Sequence, residues 1–156
     1  MYNLDQAIDE LAARFTACFP AEIPAHRTVG REAEYPVVNE MGEAADVRRI
    51  LETLRASPQT GTPNDAIYDS HSPHLIVGLR SDDYTYALEV GIGTIEVNSR
   101  PCQTLLEVEH ILCEAVRRVV HTTTRFNWRL LSYGAQPMSP PSLRIMAPKQ
   151  RYQSLY

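Results

Sequence analysis

The sequence predicts an α+β fold, with a largely antiparallel sheet and helices packed on one of its faces. Three observations carry this. Apolar residues recur at helical spacing in three separated stretches. Two alternating runs flank Gly91-Ile92-Gly93, which is the pattern of a β-hairpin. The order of elements is helix, strand, helix, several strands, helix, strand. Such an order lacks the regular strand–helix alternation of a parallel sheet.

The elements follow in chain order. Leu4, Ile8, Leu11, Ala12 and Phe15 mark an amphipathic helix over 4–18. Pro20 and Pro24 end it and lead into a strand over 27–38, rich in the strand formers Val29, Tyr35, Val37 and Val38. Asn39 to Glu43 reads as a turn. Ala45, Val47, Ile50, Leu51 and Leu54 mark a second helix, and the polar stretch 57–65 a loop. A short strand covers 75–80, and the hairpin strands cover 84–90 and 94–98. Pro101 closes the hairpin. The longest helix spans 103–126, with Leu105, Val108, Leu112, Ala115, Val116 and Val119 toward the core. A last strand covers 129–134. From Ala135 onward the chain is rich in proline and shows no periodicity.

The 156 residues fit one domain, or part of a larger one. An apolar fraction of 44% argues against disorder, and a net charge of −4 against a nucleic-acid or anionic-membrane surface. No apolar run is long enough to span a bilayer. The first residues lack the basic-then-apolar order of a signal peptide. Cys18, Cys102 and Cys113 form no CxxC pair, so neither a zinc site nor a disulfide framework is indicated. All three read as small buried hydrophobes, and the expected location is the reducing cytoplasm.

The chemistry lies in the acidic residues. Glu32 and Glu34 stand two apart in Gly30-Arg31-Glu32-Ala33-Glu34-Tyr35, so on a strand they share one face. Two adjacent like charges repel and favour a compensating cation, for which a hard divalent ion with oxygen ligands is suited. A solvated face of an edge strand is the competing reading of this pair alone.

The hairpin supplies a second pair. With Ile92-Gly93 as a two-residue loop, Glu89 faces Glu96. A three-residue loop would put them on different faces. In the first register Thr85, Ala87, Glu89, Thr94, Glu96 and Asn98 make one polar face. Tyr84, Tyr86, Leu88, Ile95 and Val97 make an apolar one, the pattern of a sheet with helices behind and a charged ligand in front. Four carboxylates on one surface could hold Mg²⁺ ions that neutralise nucleotide phosphates.

These residues carry a family resemblance. Gly30-Arg31-Glu32-Ala33-Glu34-Tyr35 resembles the G-x-E-x-E-aromatic signature of glutamate–cysteine ligases and related carboxylate–amine ligases. Leu88-Glu89 and Ile95-Glu96-Val97, with Pro101 and Leu105, are similar to the family's second acidic motif. Gly134-Ala135-Gln136-Pro137 resembles its G-x-Q-P turn. Met146-Ala147-Pro148-Lys149-Gln150-Arg151-Tyr152 resembles the M-P-K-G-R-Y run of the plant and proteobacterial branch, with Gln150 in place of glycine.

The resemblance implies a partial glutamine-synthetase-like catalytic fold, with 27–156 as the N-terminal half of a ligase-like domain and 1–26 as an N-terminal helix and linker. It implies ATP as substrate and Mg²⁺ as cofactor. The γ-carboxylate of glutamate is phosphorylated and an amine such as cysteine attacks the acyl phosphate, as in glutathione biosynthesis. Carried over by motif, Glu32, Glu34, Glu89 and Glu96 are the metal ligands. Lys149 and Arg151 are candidates for an anionic nucleotide or substrate group.

An incomplete domain of 1–156 is expected to need a complementary C-terminal chain or a homo-oligomer. Two other readings stand beside it. One is a truncated or regulatory module that binds Mg-nucleotide or a partner chain without catalysis. The other is the same chemistry with another amine acceptor.

Further clusters read as structural. Glu107, His110 and Glu114 share a helix face opposite the apolar stripe. His71 and His74 lack a third ligand. Cys102 has no histidine beside it in sequence.

Overall fold

The computed structural model describes residues 3–19, 22, 26–57 and 65–153. Pro20, Pro24 and nearly all of the expected 57–65 loop lie outside the described residues. The elements are α1 (Leu4–Ala17), β1 (Glu32–Val38), α2 (Arg48–Ala56), β2 (Asp65–Tyr68), β3 (Ile76–Arg80), β4 (Tyr84–Leu88), β5 (Thr94–Ser99), α3 (Leu105–Thr124), β6 (Arg129–Leu130), a 3-10 turn (Leu143–Ile145) and α4 (Gln150–Gln153). The six strands form one sheet in the order β2-β3-β4-β5-β1-β6, with antiparallel pairing throughout. The α+β expectation is met, with α2 and α3 packed on one face.

The period-2 pattern decides which face. Tyr84, Tyr86 and Leu88 of β4 and Ile95 and Val97 of β5 are buried, while the residues between them are half-buried. Behind this apolar face α2 packs on β3 and α3, and α3 crosses β4, β5 and β6. Ile50, Leu51 and Leu54 of α2 and Val108, Ile111, Leu112, Ala115 and Val119 of α3 fill the core. The Tyr86 hydroxyl donates to the Ala115 carbonyl at 2.9 Å and so ties β4 to α3. Burial holds its phenol proton far above the usual tyrosine range. An Arg118 guanidinium also reaches the Tyr84 hydroxyl from α3.

Several boundaries differ from the sequence reading. The first strand is regular only from Glu32; upstream, Val29 forms an isolated bridge to Cys102, exchanging backbone bonds of 2.9 and 2.8 Å. The second helix begins at Arg48, and Ala45 and Val47 enter the core from the segment before it. The long helix begins at Leu105 because Thr104 caps it. The Thr104 side chain accepts from the Glu107 amide, and the Glu107 carboxylate accepts in return from the Thr104 amide.

Leu105 is the one expected core position of this helix that is 73% exposed. It sits in the first turn, before the helix crosses the sheet. Strand β2 was not foreseen, since Asp65-Ala66-Ile67-Tyr68 is too short to show an alternation. The expected strand 129–134 shrinks to Arg129–Leu130. Cys102 is buried as expected, but Cys18, which caps the end of α1, and Cys113 of α3 are exposed.

The hairpin register also differs. Leu88 pairs with Ile95 and Ala87 with Glu96, and the Glu89 amide donates to the Thr94 carbonyl at 3.4 Å. The turn therefore holds four residues, Val90 to Gly93, rather than two. A shift of two keeps every side chain on its predicted face. Glu89 and Glu96 remain on one face as diagonal neighbours, but they are not directly opposite.

Candidate functional site

The open face of the sheet collects the four predicted glutamates. Strand β1 lies beside β5 with Glu32 opposite Asn98 and Glu34 opposite Glu96. Glu89 follows the end of β4 and shares that face. Directly opposed residues have Cβ atoms about 5 Å apart, so Glu34 and Glu96 are like-charge neighbours on this face. Pairing of β1 with β6 is confined to Val37 and Val38, so the Glu32–Glu34 stretch also borders an open strand edge among the described residues.

The electrostatics register this crowding. The Glu96 carboxyl is pushed above its ordinary value, first by burial and then by a hydrogen bond with Glu89 and the charges of Glu89 and Glu32. A hydrogen bond from Asn98 opposes the rise. The Asn98 Oδ1 atom is buried without a partner. It is a further oxygen donor on the same face.

The proline-rich segment, which shows no periodicity in sequence, folds back over the hairpin. The Ile92 amide donates to the Ile145 carbonyl at 2.6 Å, the Ala147 amide to the Val90 carbonyl at 2.7 Å, and Gly91 bridges Met146. The Gln150 amide then reaches Asp69 Oδ2 at 3.3 Å, anchoring α4.

This return brings Lys149 and Arg151 to the carboxylate face. Lys149 is only 8% exposed. Burial first, then the Arg151 charge, lowers its pKa, while Glu89, Glu96 and Asp69 act in the opposite sense. Its ammonium lies 5.3 Å from the Tyr152 ring centroid, and the Arg151 guanidinium lies 4.6 Å from the same ring. Arg151 also donates to the Tyr152 hydroxyl and feels the charges of Glu89 and Glu96.

Between this returning segment and the sheet lies a cleft of about 460 Å³, bordered by Glu34, Thr94, Val90, Gln136, Ile145 and Met146. Gln136 Nε2 donates to the Gly93 carbonyl at 2.8 Å, and its Oε1 is buried without a partner. A Cβ on Gly93 would stand 2.7 Å from both Ala44 Cβ and Gln136 Nε2, so glycine is required for this closure.

All six predicted site residues thus belong to one neighbourhood. Asp69, Asn98 and Tyr152 join them without having been singled out. Asn98 was legible as a member of the polar face. Asp69 had no signal, since its part depends on the path of a segment eighty residues away.

Whether a metal fits is a question of donor chemistry. Every donor on this face is oxygen, as a hard cation requires. The raised Glu96 carboxyl and the orphaned Asn98 Oδ1 are both states that a cation would relieve. No three His, Cys, Asp or Glu side chains among the described residues converge to enclose an ion by themselves. The four glutamates share a face without closing around one ion; Mg²⁺ commonly takes one or two carboxylates and completes its shell with water and phosphate oxygens. The other clusters weighed on sequence gather no such group: His110, Glu114, His71 and His74 are all exposed.

No curated protein matches the chain. A family model, glutamate-cysteine ligase family 2 (GCS2), matches residues 28–156, which include both acidic pairs, Gln136 and the Lys149–Arg151 segment. The chain belongs to glutamate-cysteine ligase family 2.

Proposed function

We propose that this chain supplies the magnesium- and ATP-binding face of an ATP-dependent carboxylate–amine ligase of the glutamate–cysteine ligase type. The observation that carries this reading is the β1–β5 register, which sets Glu34 opposite Glu96 and Glu32 opposite Asn98. It makes a surface of oxygen donors with excess negative charge, beside two cations on the returning segment. Glu34, Glu96, Glu89 and Glu32 would hold Mg²⁺. When bound, the metal would neutralise charge on the nucleotide phosphates during phosphoryl transfer.

The chain's own residues have distinct parts. Lys149, buried and pre-oriented over Tyr152, presents a cation to an anionic phosphate or carboxylate. Arg151 adds a second one, its guanidinium held against the Tyr152 ring and hydroxyl. The cleft beside Glu34 and Gln136 leads from this face and is apolar on its Val90, Ile145 and Met146 side. The reaction supported by the family transfers the γ-phosphoryl group of ATP to the γ-carboxylate of glutamate, releasing ADP. An amine then forms a C–N bond at the acyl carbon as the C–O bond to phosphate breaks. Cysteine is the acceptor the family name implies.

Calorimetric titration with ATP, with and without Mg²⁺, tests this. Binding is expected to require Mg²⁺ and to weaken at least about tenfold in Glu34→Gln and in Lys149→Gln, the loss of one charge-assisted contact each. Equal binding without Mg²⁺, or by both variants, would overturn it.

A further inference from the structure

The C-terminal half of α3 carries a basic cluster that has no part in the acidic face. Glu114, Arg117, Arg118, His121 and Arg125 follow one another at spacings that keep them on one side of the helix. That side borders a cavity of about 500 Å³, whose other wall is Leu54 and Ser57 at the end of α2. Both helices pack behind the apolar face of the sheet, so the cavity lies on the opposite side of the sheet from the four glutamates.

The chain as a whole carries a net charge of −4, yet the balance in this cavity is positive. Arg117, Arg118 and Arg125 bring three positive charges, and Glu114 returns one negative charge. The caps that end α2 and α3, Ser57 and Arg125, both line the cavity, and each helix end supplies about half a negative charge. About one positive charge is left over, before any protonation of His121. Among the described residues no ion pair reaches these arginines; the pairs formed are Arg48 with Asp46 and Arg100 with Asp83. The sequence that follows Ser57, from Pro58 to Asn64, holds no acidic residue.

The cluster is also partly held in place. Arg118 donates to the Tyr84 hydroxyl, and its guanidinium lies 5.9 Å from that ring centroid. The rest of its five-donor fork stays available to a ligand. Arg117, His121 and Arg125 form a row at spacing four, where like charges repel and a shared anion relieves them. Leu54, itself buried, gives the cavity an apolar floor.

We propose that this cavity is a second binding site, for a small phosphate-bearing anion held by Arg117, Arg118 and Arg125. A phosphate group brings a charge of about −1.5 to −2 and three acceptor oxygens. It meets both the leftover charge and the number of guanidiniums, each of which pairs well with phosphate oxygens. A single carboxylate brings one charge and two oxygens, too few for three guanidiniums.

Amide NMR titration of the full chain with inorganic pyrophosphate, in chloride buffer without Mg²⁺, tests this. Saturable shifts are expected at Leu54, Ser57 and residues 117–125, with half-saturation below about 1 mM. Arg117→Gln/Arg125→Gln should weaken binding at least about tenfold. Both side chains are exposed, so the fold persists, and the amide spectrum verifies it. Lys149→Gln should leave this binding unchanged, which separates the site from the nucleotide-binding face. Glycerol 3-phosphate in a parallel titration distinguishes an esterified source from an inorganic one by which binds tighter. Malonate, a dicarboxylate, should bind at least about tenfold more weakly than pyrophosphate. Shifts that do not saturate, that persist in the double variant or that vanish in Lys149→Gln would overturn the proposal, as would malonate binding as tightly as pyrophosphate.

Discussion

Glu34 stands directly opposite Glu96 across the β1–β5 pair, on the face of the sheet opposite α2 and α3. Neither carboxylate has a cation as its strand neighbour. With Glu89 bonded to Glu96 from the next strand, the face holds more negative charge than its own strands compensate.

The charge state of Glu96 should therefore set a stability that depends on pH. Its folded pKa is raised above the ordinary value of 4.5. The folded state holds the proton more tightly, so this contribution is fully present below 4.5 and is lost as pH rises through the folded value. Glu96→Gln keeps a neutral side chain at every pH. It should raise the melting temperature near neutral pH by roughly 1–3 °C without Mg²⁺, and the gain should vanish below the carboxylate range. Differential scanning calorimetry across pH checks this. Saturating Mg²⁺ should narrow the gap by stabilising the wild type more.

Lys149 should act on the same carboxyls from the returning segment. The charges of Glu89 and Glu96 favour its protonated ammonium. Lys149→Gln removes that charge, so the Glu96 carboxyl should titrate higher still. Carboxyl ¹³C NMR titration reads this directly. An unchanged or lower midpoint would mean that the segment does not sit over the hairpin.

The two faces of the sheet should be separable by mutation. Tyr86→Phe removes the hydrogen bond to the Ala115 carbonyl behind the sheet. It should cost about 1 kcal/mol in urea unfolding and leave Mg-nucleotide affinity unchanged, since the phenol points away from the carboxylates.

The sequence made the two faces readable because alternation at period 2 survives errors of register. Glu89 and Glu96 stayed together although the turn is four residues rather than two. The same slip hid their actual partners: only the structure shows Glu34, from a strand sixty residues upstream, as the neighbour of Glu96. Lys149 and Arg151 were found by motif. Their position over the hairpin depends on backbone bonds such as Ala147 to Val90, which follow no local pattern. Leu105 misled because helical periodicity places a residue on a face without saying where along the helix the sheet ends. Strand β2 was lost to its length. For the orphaned Asn98 Oδ1 and Gln136 Oε1, burial is a property of packing, invisible in residue type.

The most direct test replaces Mg²⁺ with Mn²⁺ and follows paramagnetic broadening of backbone amide signals in the presence of ADP. The expected result is broadening centred on Glu34, Glu89 and Glu96 at low Mn²⁺, reversed by excess Mg²⁺ and lost in Glu34→Gln/Glu96→Gln. Broadening spread over exposed acids such as Asp5, Asp9 and Asp82, or unchanged in that double variant, would contradict a metal site on this face.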